Sequence, residues 1–322
     1  MSRLKHVAAL LCLCGVLAAV AAPAAAAFPD RPLRLIVGMP PGGGADTVAR
    51  LVSAKAAEKL GQPIVVENKP GADGSIGAEM VARAPPDGYT LAWITNSHVV
   101  SPLHLPLSYN AATSFAPVTQ VSQAPDVVLV PTAFAANSMA ELVAMAKAKP
   151  DELVYGTAGP STPSSLEISL LMSMTGIKML GIPYKGGSEV MVALLNGSVQ
   201  IYSAAISTAL PYVNTGKLKA LGVTSKARAP QLPNLPTVAE ALNLPGFEGG
   251  NWLGVLAPAG TPKEVVDRLN AAFVEAINST DVKERLANLG WTTIASTPDA
   301  FAGVIRNDLA RWAEAFKGSP PK

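Results

Sequence analysis

The sequence predicts an α/β protein of two lobes, each a mostly parallel sheet flanked by helices, and three observations carry this. The stretch Arg34-Leu-Ile-Val-Gly-Met-Pro-Pro-Gly-Gly-Gly-Ala-Asp-Thr-Val-Ala-Arg50 reads as an apolar strand, a Pro-Gly turn and the opening of a helix. The same device recurs near the middle as Leu153-Val-Tyr-Gly-Thr-Ala-Gly-Pro-Ser-Thr-Pro-Ser-Ser165, so the two halves are expected to resemble and face each other. At 322 residues the chain is long enough for two domains that each bury a core.

Taken in order, residues 33–37 form a continuous apolar run suited to a strand buried on both faces. The helix after the glycines sets Val48, Leu51, Val52, Ala56 and Leu60 on one face, and Gly61 stands where a terminating glycine belongs. Residues 64–66 read as a strand, 76–84 as a helix and 90–95 as a third strand, a parallel α/β pattern. Strands at 115–121 and 127–130 are separated by Gln123-Ala-Pro125, a crossing into the second lobe. Ser138 and Glu141 form a capping box, and an apolar helix follows the loop that ends at Ser165. Strands at 180–184, 199–203 and 218–224 alternate with helices near 187–196 and 209–214. A proline-bearing stretch, 229–245, precedes a return crossing at 252–256. Thr261, Pro262 and Glu264 start one terminal helix, and Thr297 and Pro298 start the last, with Phe301, Val304, Ile305, Leu309, Trp312 and Phe316 as its inward stripe. The expected division is 1–27 as a cleaved signal peptide, 28–124 plus 253–322 as lobe I and 125–252 as lobe II.

The signal rests on Arg3, Lys5 and His6 ahead of an apolar stretch at 7–22 and small residues ending at Ala27. Both cysteines, Cys12 and Cys14, fall inside it, so the exported chain carries no thiol, disulfide or Cys-ligated metal. A secreted protein of this size without disulfides fits a bacterial periplasm. A formal net charge of +2 gives no footprint for nucleic acid or an anionic membrane.

The turn Gly42-Gly-Gly-Ala-Asp46 places backbone N–H groups and the positive end of a helix dipole at the end of a strand. It serves either as a cradle for a carboxylate or phosphate, or as a tight turn in which Asp46, an exposed helix-start residue, complements the dipole. A dinucleotide fingerprint is incomplete, since Thr47 replaces the third glycine, although Glu67 sits about where a ribose-binding acid belongs. A P-loop fails because Lys185 is displaced by one position. Gly159-Pro-Ser-Thr-Pro163 approaches a nucleophile elbow around Ser161, but the last glycine is missing and the histidines His98 and His104 both precede the serine. The two histidines lack the helical spacing of metal ligands. His98 is open to two readings, a residue lining a cleft or an exposed loop histidine. Trp252, Trp291 and Trp312 read as core. No nucleophile, base and orienting group assemble, and no cofactor is called for.

With these residues in view the chain resembles the periplasmic solute receptors of tripartite tricarboxylate transporters, the Bug-type receptors. The resemblance runs through Pro40-Pro-Gly-Gly-Gly-Ala-Asp-Thr-Val-Ala-Arg50, Val65-Val-Glu-Asn-Lys-Pro-Gly-Ala-Asp-Gly74, Pro86-Asp-Gly-Tyr-Thr-Leu91, Pro183-Tyr-Lys-Gly-Gly187, Leu235-Pro-Thr-Val-Ala-Glu240 and Ala257-Pro-Ala-Gly-Thr-Pro262. It implies a type II periplasmic-binding fold, a Venus flytrap that closes on a small organic carboxylate. It also implies a monomer that meets an integral-membrane transporter transiently. The ligand would lie between Pro41, Gly42, Gly43, Gly44, Ala45 and Asp46 and the loop of Thr157, Ala158, Gly159, Pro160, Ser161, Thr162 and Ser165. Thr95, Asn96, Ser97 and His98, with Lys185, Gly186 and Gly187, would form the rims. The chain departs from the family pattern in having Gly159-Pro-Ser161 where Gly-x-Gly is usual, Ser165 where a histidine is usual and Ala204 where an aspartate is usual. These changes make the pocket more neutral and roomier. The competing readings are an exported α/β hydrolase using Ser161, an oxidoreductase using the first turn, and a receptor serving a signalling system.

Overall fold

The computed structural model describes residues 28–159 and 162–317. The expected signal peptide, residues 1–27, therefore lies outside the described residues, as do Pro160 and Ser161. Among the described residues no helix is long and apolar enough to cross a membrane.

The first sheet has the order β11-β4-β10-β3-β1-β2. Its strands are β1 (Leu33–Val37), β2 (Ile64–Asn68), β3 (Thr90–Thr95), β4 (Phe115–Ala124), β10 (Asn251–Pro258) and the short β11 (Thr292–Thr293). β1 runs parallel to both β2 and β3, whereas β10 is antiparallel to β3 and to β4. The apolar run at 33–37 is explained by burial on both faces. Leu33, Leu35 and Val37 pack with Val48, Val52 and Ala56 of α1 (Gly44–Leu60) and with Leu269 and Phe273 of α9 (Lys263–Asn278). Ile36 points the other way, into the core that holds Ala78 and Val81 of α2 (Ser75–Ala82). Each large side chain so buried contributes about 1.5–3 kcal/mol, and α1 ends as expected on Gly61 at φ 73°.

After Ala124 the chain leaves this sheet and returns at Asn251. Between these points lie β5 (Asp126–Pro131), α4 (Met139–Ala148), β6 (Val154–Thr157), α5 (Pro163–Thr175), β7 (Leu180–Pro183), α6 (Gly187–Leu195), β8 (Tyr202–Ala205), α7 (Ile206–Asn214), β9 (Leu218–Val223) and the short α8 (Val238–Leu242). β6 and β7 are parallel, while β8, β5 and β9 form an antiparallel sheet. The mostly parallel expectation thus describes the strand–helix–strand units. Strands that enter or leave a lobe at a crossing pair antiparallel, because their direction is set by the crossing and not by a helical return.

Local sequence rules hold or fail for visible reasons. Ser138 caps α4 by accepting the Glu141 N–H at 3.2 Å, but Glu141 turns back to the N–H of Asn137, one residue earlier than a capping box requires. A complete capping box joins Thr237 and Glu240 inside the proline-bearing stretch 229–245. Thr261 is not a cap: its hydroxyl donates to the Pro258 carbonyl at 2.8 Å, and the cap position is Pro262. α10 (Thr280–Asn288) is absent from the sequence reading because only Val282 and Leu286 turn inward on an otherwise polar helix. On the final helix, α11 (Pro298–Ala315), Phe301, Ile305 and Trp312 are buried, and so is Asp308, which accepts the Trp252 indole N–H at 2.8 Å.

Candidate ligand-binding site

The first half of the site follows from β1 ending where α1 begins. Pro41, Gly42, Gly43 and Gly44 are exposed and Ala45 is half-buried. Gly42 has φ 81°, a conformation that favours glycine, and Gly43 takes the cap position without a side chain to occupy the first-turn donors. The N–H groups of Gly44, Ala45 and Asp46 find no backbone acceptor among the described residues. They lie at the positive end of a 17-residue helix.

Asp46 corrects the expectation of an exposed helix-start residue, being only 3% exposed. Its carboxylate accepts the Gly42 N–H at 2.9 Å, the Arg50 Nε–H at 3.1 Å and the Asn68 amide at 2.8 Å. Asn68 also donates to the Met39 carbonyl at 3.0 Å and accepts from Arg50 at 2.7 Å. Burial alone would raise the Asp46 pKa, but the donors from Arg50, Gly42 and Asn68 outweigh it and hold the group below the ordinary carboxylate range. Asp46 thus shapes the turn, and its charge is neutralised before a ligand arrives.

Thr95 and Asn96 are buried at the end of β3, next to β1, and half-buried Ser97 opens the short helix α3 (Ser97–Val100). The Thr95 hydroxyl accepts the Ser97 N–H at 3.2 Å and lies 3.1 Å from the Ser97 hydroxyl. His98 is not an exposed loop residue: it is buried and borders a small crevice together with Thr95 and Tyr109. Its ring packs on Phe115 (5.1 Å) and Tyr109 (6.0 Å), and its Nε2 donates to the Ala111 carbonyl at 3.0 Å. Desolvation pushes its pKa down to about 4, so the imidazole is neutral.

The second half lies at the ends of β6 and β7. The Thr157 hydroxyl bridges Gly159, accepting its N–H at 3.2 Å and donating to its carbonyl at 2.9 Å, while the Thr162 hydroxyl donates to the same carbonyl at 2.6 Å. Ala158 and Gly159 are half-buried, and Ser165 is buried in the first turn of α5. The Tyr184 N–H bonds the Thr157 carbonyl at 2.8 Å, which sets Lys185, Gly186 and Gly187 beside this loop. Lys185 is exposed, and a Cβ on Gly187 would come within 2.8 Å of the Tyr202 hydroxyl. Ala204 is buried among the apolar residues of its lobe and offers a ligand no polar group.

The sequence reading passes over Asn68, Arg50, Glu167, Tyr202 and Gly250. Only Glu167 leaves a signal, a lone acid in an otherwise apolar helix, and it is 1% exposed. Its carboxylate accepts the Ser203 hydroxyl and the Gly250 N–H. The Asn96 amide reaches the Gly250 carbonyl at 3.4 Å, so this peptide unit ties the rim of one half to the helix of the other. Glu67, weighed as a ribose ligand, is spent on a bidentate pair with Arg34 at 2.7 and 3.0 Å.

Two α/β units joined by two crossings, each with a turn and helix start at its strand ends, define a two-lobed periplasmic-binding protein of the type II fold. Residues 48–318 match the tripartite tricarboxylate transporter family receptor. Protein BugT of Bordetella pertussis is 34% identical over 312 residues, 95% of this chain and 94% of its own. Among solved structures, MatC from Rhodopseudomonas palustris with bound malate is similar at 34% identity and a TM-score of 0.72, covering 90% of this chain and 100% of its own. Rpa4515 of R. palustris with adipate has 32% identity and a TM-score of 0.74, covering 91% and 98%. The chain belongs to the tripartite tricarboxylate transporter receptor family, and it is a solute-binding receptor of the Bug type.

Proposed function

We propose that this receptor captures a small organic carboxylate between its lobes in the bacterial periplasm and, as a monomer, presents it to an integral-membrane transporter without transforming it. The observation that carries this is the first turn of α1, whose N–H groups at Gly44, Ala45 and Asp46 find no backbone acceptor among the described residues while its one acid is already tied to Arg50, Gly42 and Asn68. A carboxylate docked there meets donors and a helix dipole without facing an uncompensated negative charge. Malate and adipate in the related structures are chemically consistent with such a site. The proposed division is 28–124 plus 253–322 as lobe I and 125–252 as lobe II, supported by the chain leaving the first sheet at Ala124 and returning to it at Asn251. The second wall is the loop from Thr157 through Ser165, where Ser165 and Ala204 leave a neutral surface. Specificity arises on that side.

Calorimetry of the purified protein against mono-, di- and tricarboxylates tests this reading. Saturable binding of at least one acid is expected, and heat from none of them sinks it.

A further inference from the structure

The two crossings between the lobes meet at a buried pair of acids. Asp126 follows Pro125, the single residue between β4 and β5, and Gly249-Gly250 precedes β10. The Gly249 N–H is held by the Thr224 carbonyl at 2.7 Å and the Gly250 N–H by Glu167, while the Gly250 carbonyl accepts from Asn96. The segments are in contact: a Cβ on Gly250 would lie 2.8 Å from the Ala124 carbonyl oxygen, and one on Gly249 would strike the Glu167 carboxylate.

Asp126 and Glu167 are both buried, and among the described residues neither forms an ion pair. Arg311, the cation that acts on Glu167, is engaged with Asp308 at 2.8 Å and Glu248 at 3.8 Å. Tyr202 of β8 lies within electrostatic range of both acids, which add to the burial that pushes its phenol up to about 12. Burial pushes both carboxyls up, Glu167 to about 7; the neighbouring Glu167 adds to the effect on Asp126, while donors from Ser203, Gly250 and Thr224 oppose it on Glu167. Beside the crossings lies a crevice of ≈80 Å³ lined by Gln123, Pro125, Gly249 and Gly250, room for several waters.

We propose that Asp126 and Glu167 are positioning residues that link the angle between the lobes to a proton. The pair holds a proton when the crossings are packed dry and releases it to water when the lobes swing apart and water reaches the carboxylates. Two buried negative charges side by side are unstable without water, so rising pH favours the open arrangement. Release of one proton changes the open-to-closed ratio by up to tenfold per pH unit. This goes beyond the capture reading and needs no ligand.

The test uses unliganded protein carrying Lys147→Cys on α4 and Glu284→Cys on α10, both exposed positions in a chain with no cysteine after Cys14. Spin labels on these sites report the separation of the lobes by pulsed electron resonance from pH 5.5 to 8.5. The longer separation should gain population as pH rises from 5.5 and level off above about 7, where Glu167 of the closed form is itself ionised. Glu167→Gln, which preserves volume and an acceptor, should abolish this dependence. Asp126→Asn should lower the pH at which the population levels off by removing the like charge, and Ser203→Ala should raise it by removing a donor to the ionised form. A pH-independent separation in the parent protein, or a levelling-off point that stays put or moves the other way in the variants, overturns the proposal. None of these outcomes bears on whether a carboxylate binds.

Discussion

Asp46 accepts the backbone N–H of Gly42 at 2.9 Å, four residues back along the chain, and so closes the turn on itself. Asp46→Ala removes the acceptor of three donors in a buried position. It should lower unfolding free energy by about 2–3 kcal/mol, as expected for hydrogen bonds to a charged group, and weaken ligand binding through the disordered turn. Denaturant unfolding of the unliganded protein measures the first effect. An unchanged midpoint would return Asp46 to the role of a direct ligand.

Gly44 separates function from folding. Nothing lies within 4 Å of a Cβ placed there, and its φ is not positive, so Gly44→Ala should leave the unliganded protein's stability within about 1 kcal/mol. If ligand approaches this backbone, affinity for whichever acid the calorimetric panel identifies should fall at least fivefold. Parent-like affinity would show that the third glycine is not part of the cradle.

His98 and Glu167 give stability opposite slopes with pH. The His98 pKa drops from 6.5 to about 4 on folding, so its contribution is complete above 6.5 and is lost as pH falls toward 4, on the order of 3 kcal/mol when fully developed. Glu167 rises from 4.5 to about 7, so its contribution is complete below 4.5 and is lost as pH rises through 7. The two slopes cancel between about 4.5 and 6.5, so equilibrium unfolding across pH 3.5–8 should give a plateau centred near 5.5 that falls away on both sides. His98→Phe should flatten the acid limb and Glu167→Gln the alkaline limb. Persistence of either limb in its own variant contradicts the assignment.

Gly250 has φ 105° and no room for a Cβ against the Ala124 carbonyl. Gly250→Ala should cost about 1–3 kcal/mol in backbone strain and shift the resting angle of the lobes. Differential scanning calorimetry with small-angle scattering reads both, and an unaltered profile in each would show the crossing to be more pliant than its geometry states.

The parts of this fold legible in the sequence are those governed by short-range rules. The continuous apolar run of β1, the stripe of α1 and its closing Gly61 follow from neighbours within a turn or two. The glycine turn announced one half of the site for the same reason. Asp46 was misjudged because its burial comes from Asn68 and Arg50 folding over it, and Asn68 stands 22 residues away. His98 went into the core because Tyr109 and Phe115 pack on it. Glu167 and Gly250 are 83 residues apart, and no local pattern pairs them. The strands at the crossings are legible in the sequence but their antiparallel pairing is not, because strand direction at a crossing depends on where the chain goes next.

One feature of the first sheet bears on how the protein is made. β10 lies between β3 and β4, yet it comes more than 120 residues after either has been synthesised. Until residues 251–258 emerge, β3 and β4 each present an open edge to solvent and cannot pair with each other as they do through β10. The first-formed third of the chain can therefore pair only β1 with β2 and β3, while β4 waits for both of its partners, β10 and β11. Such edges invite pairing with other chains, so the nascent protein depends on protection until its central strand arrives, and a chain broken before residue 251 would yield an aggregation-prone fragment instead of a smaller receptor.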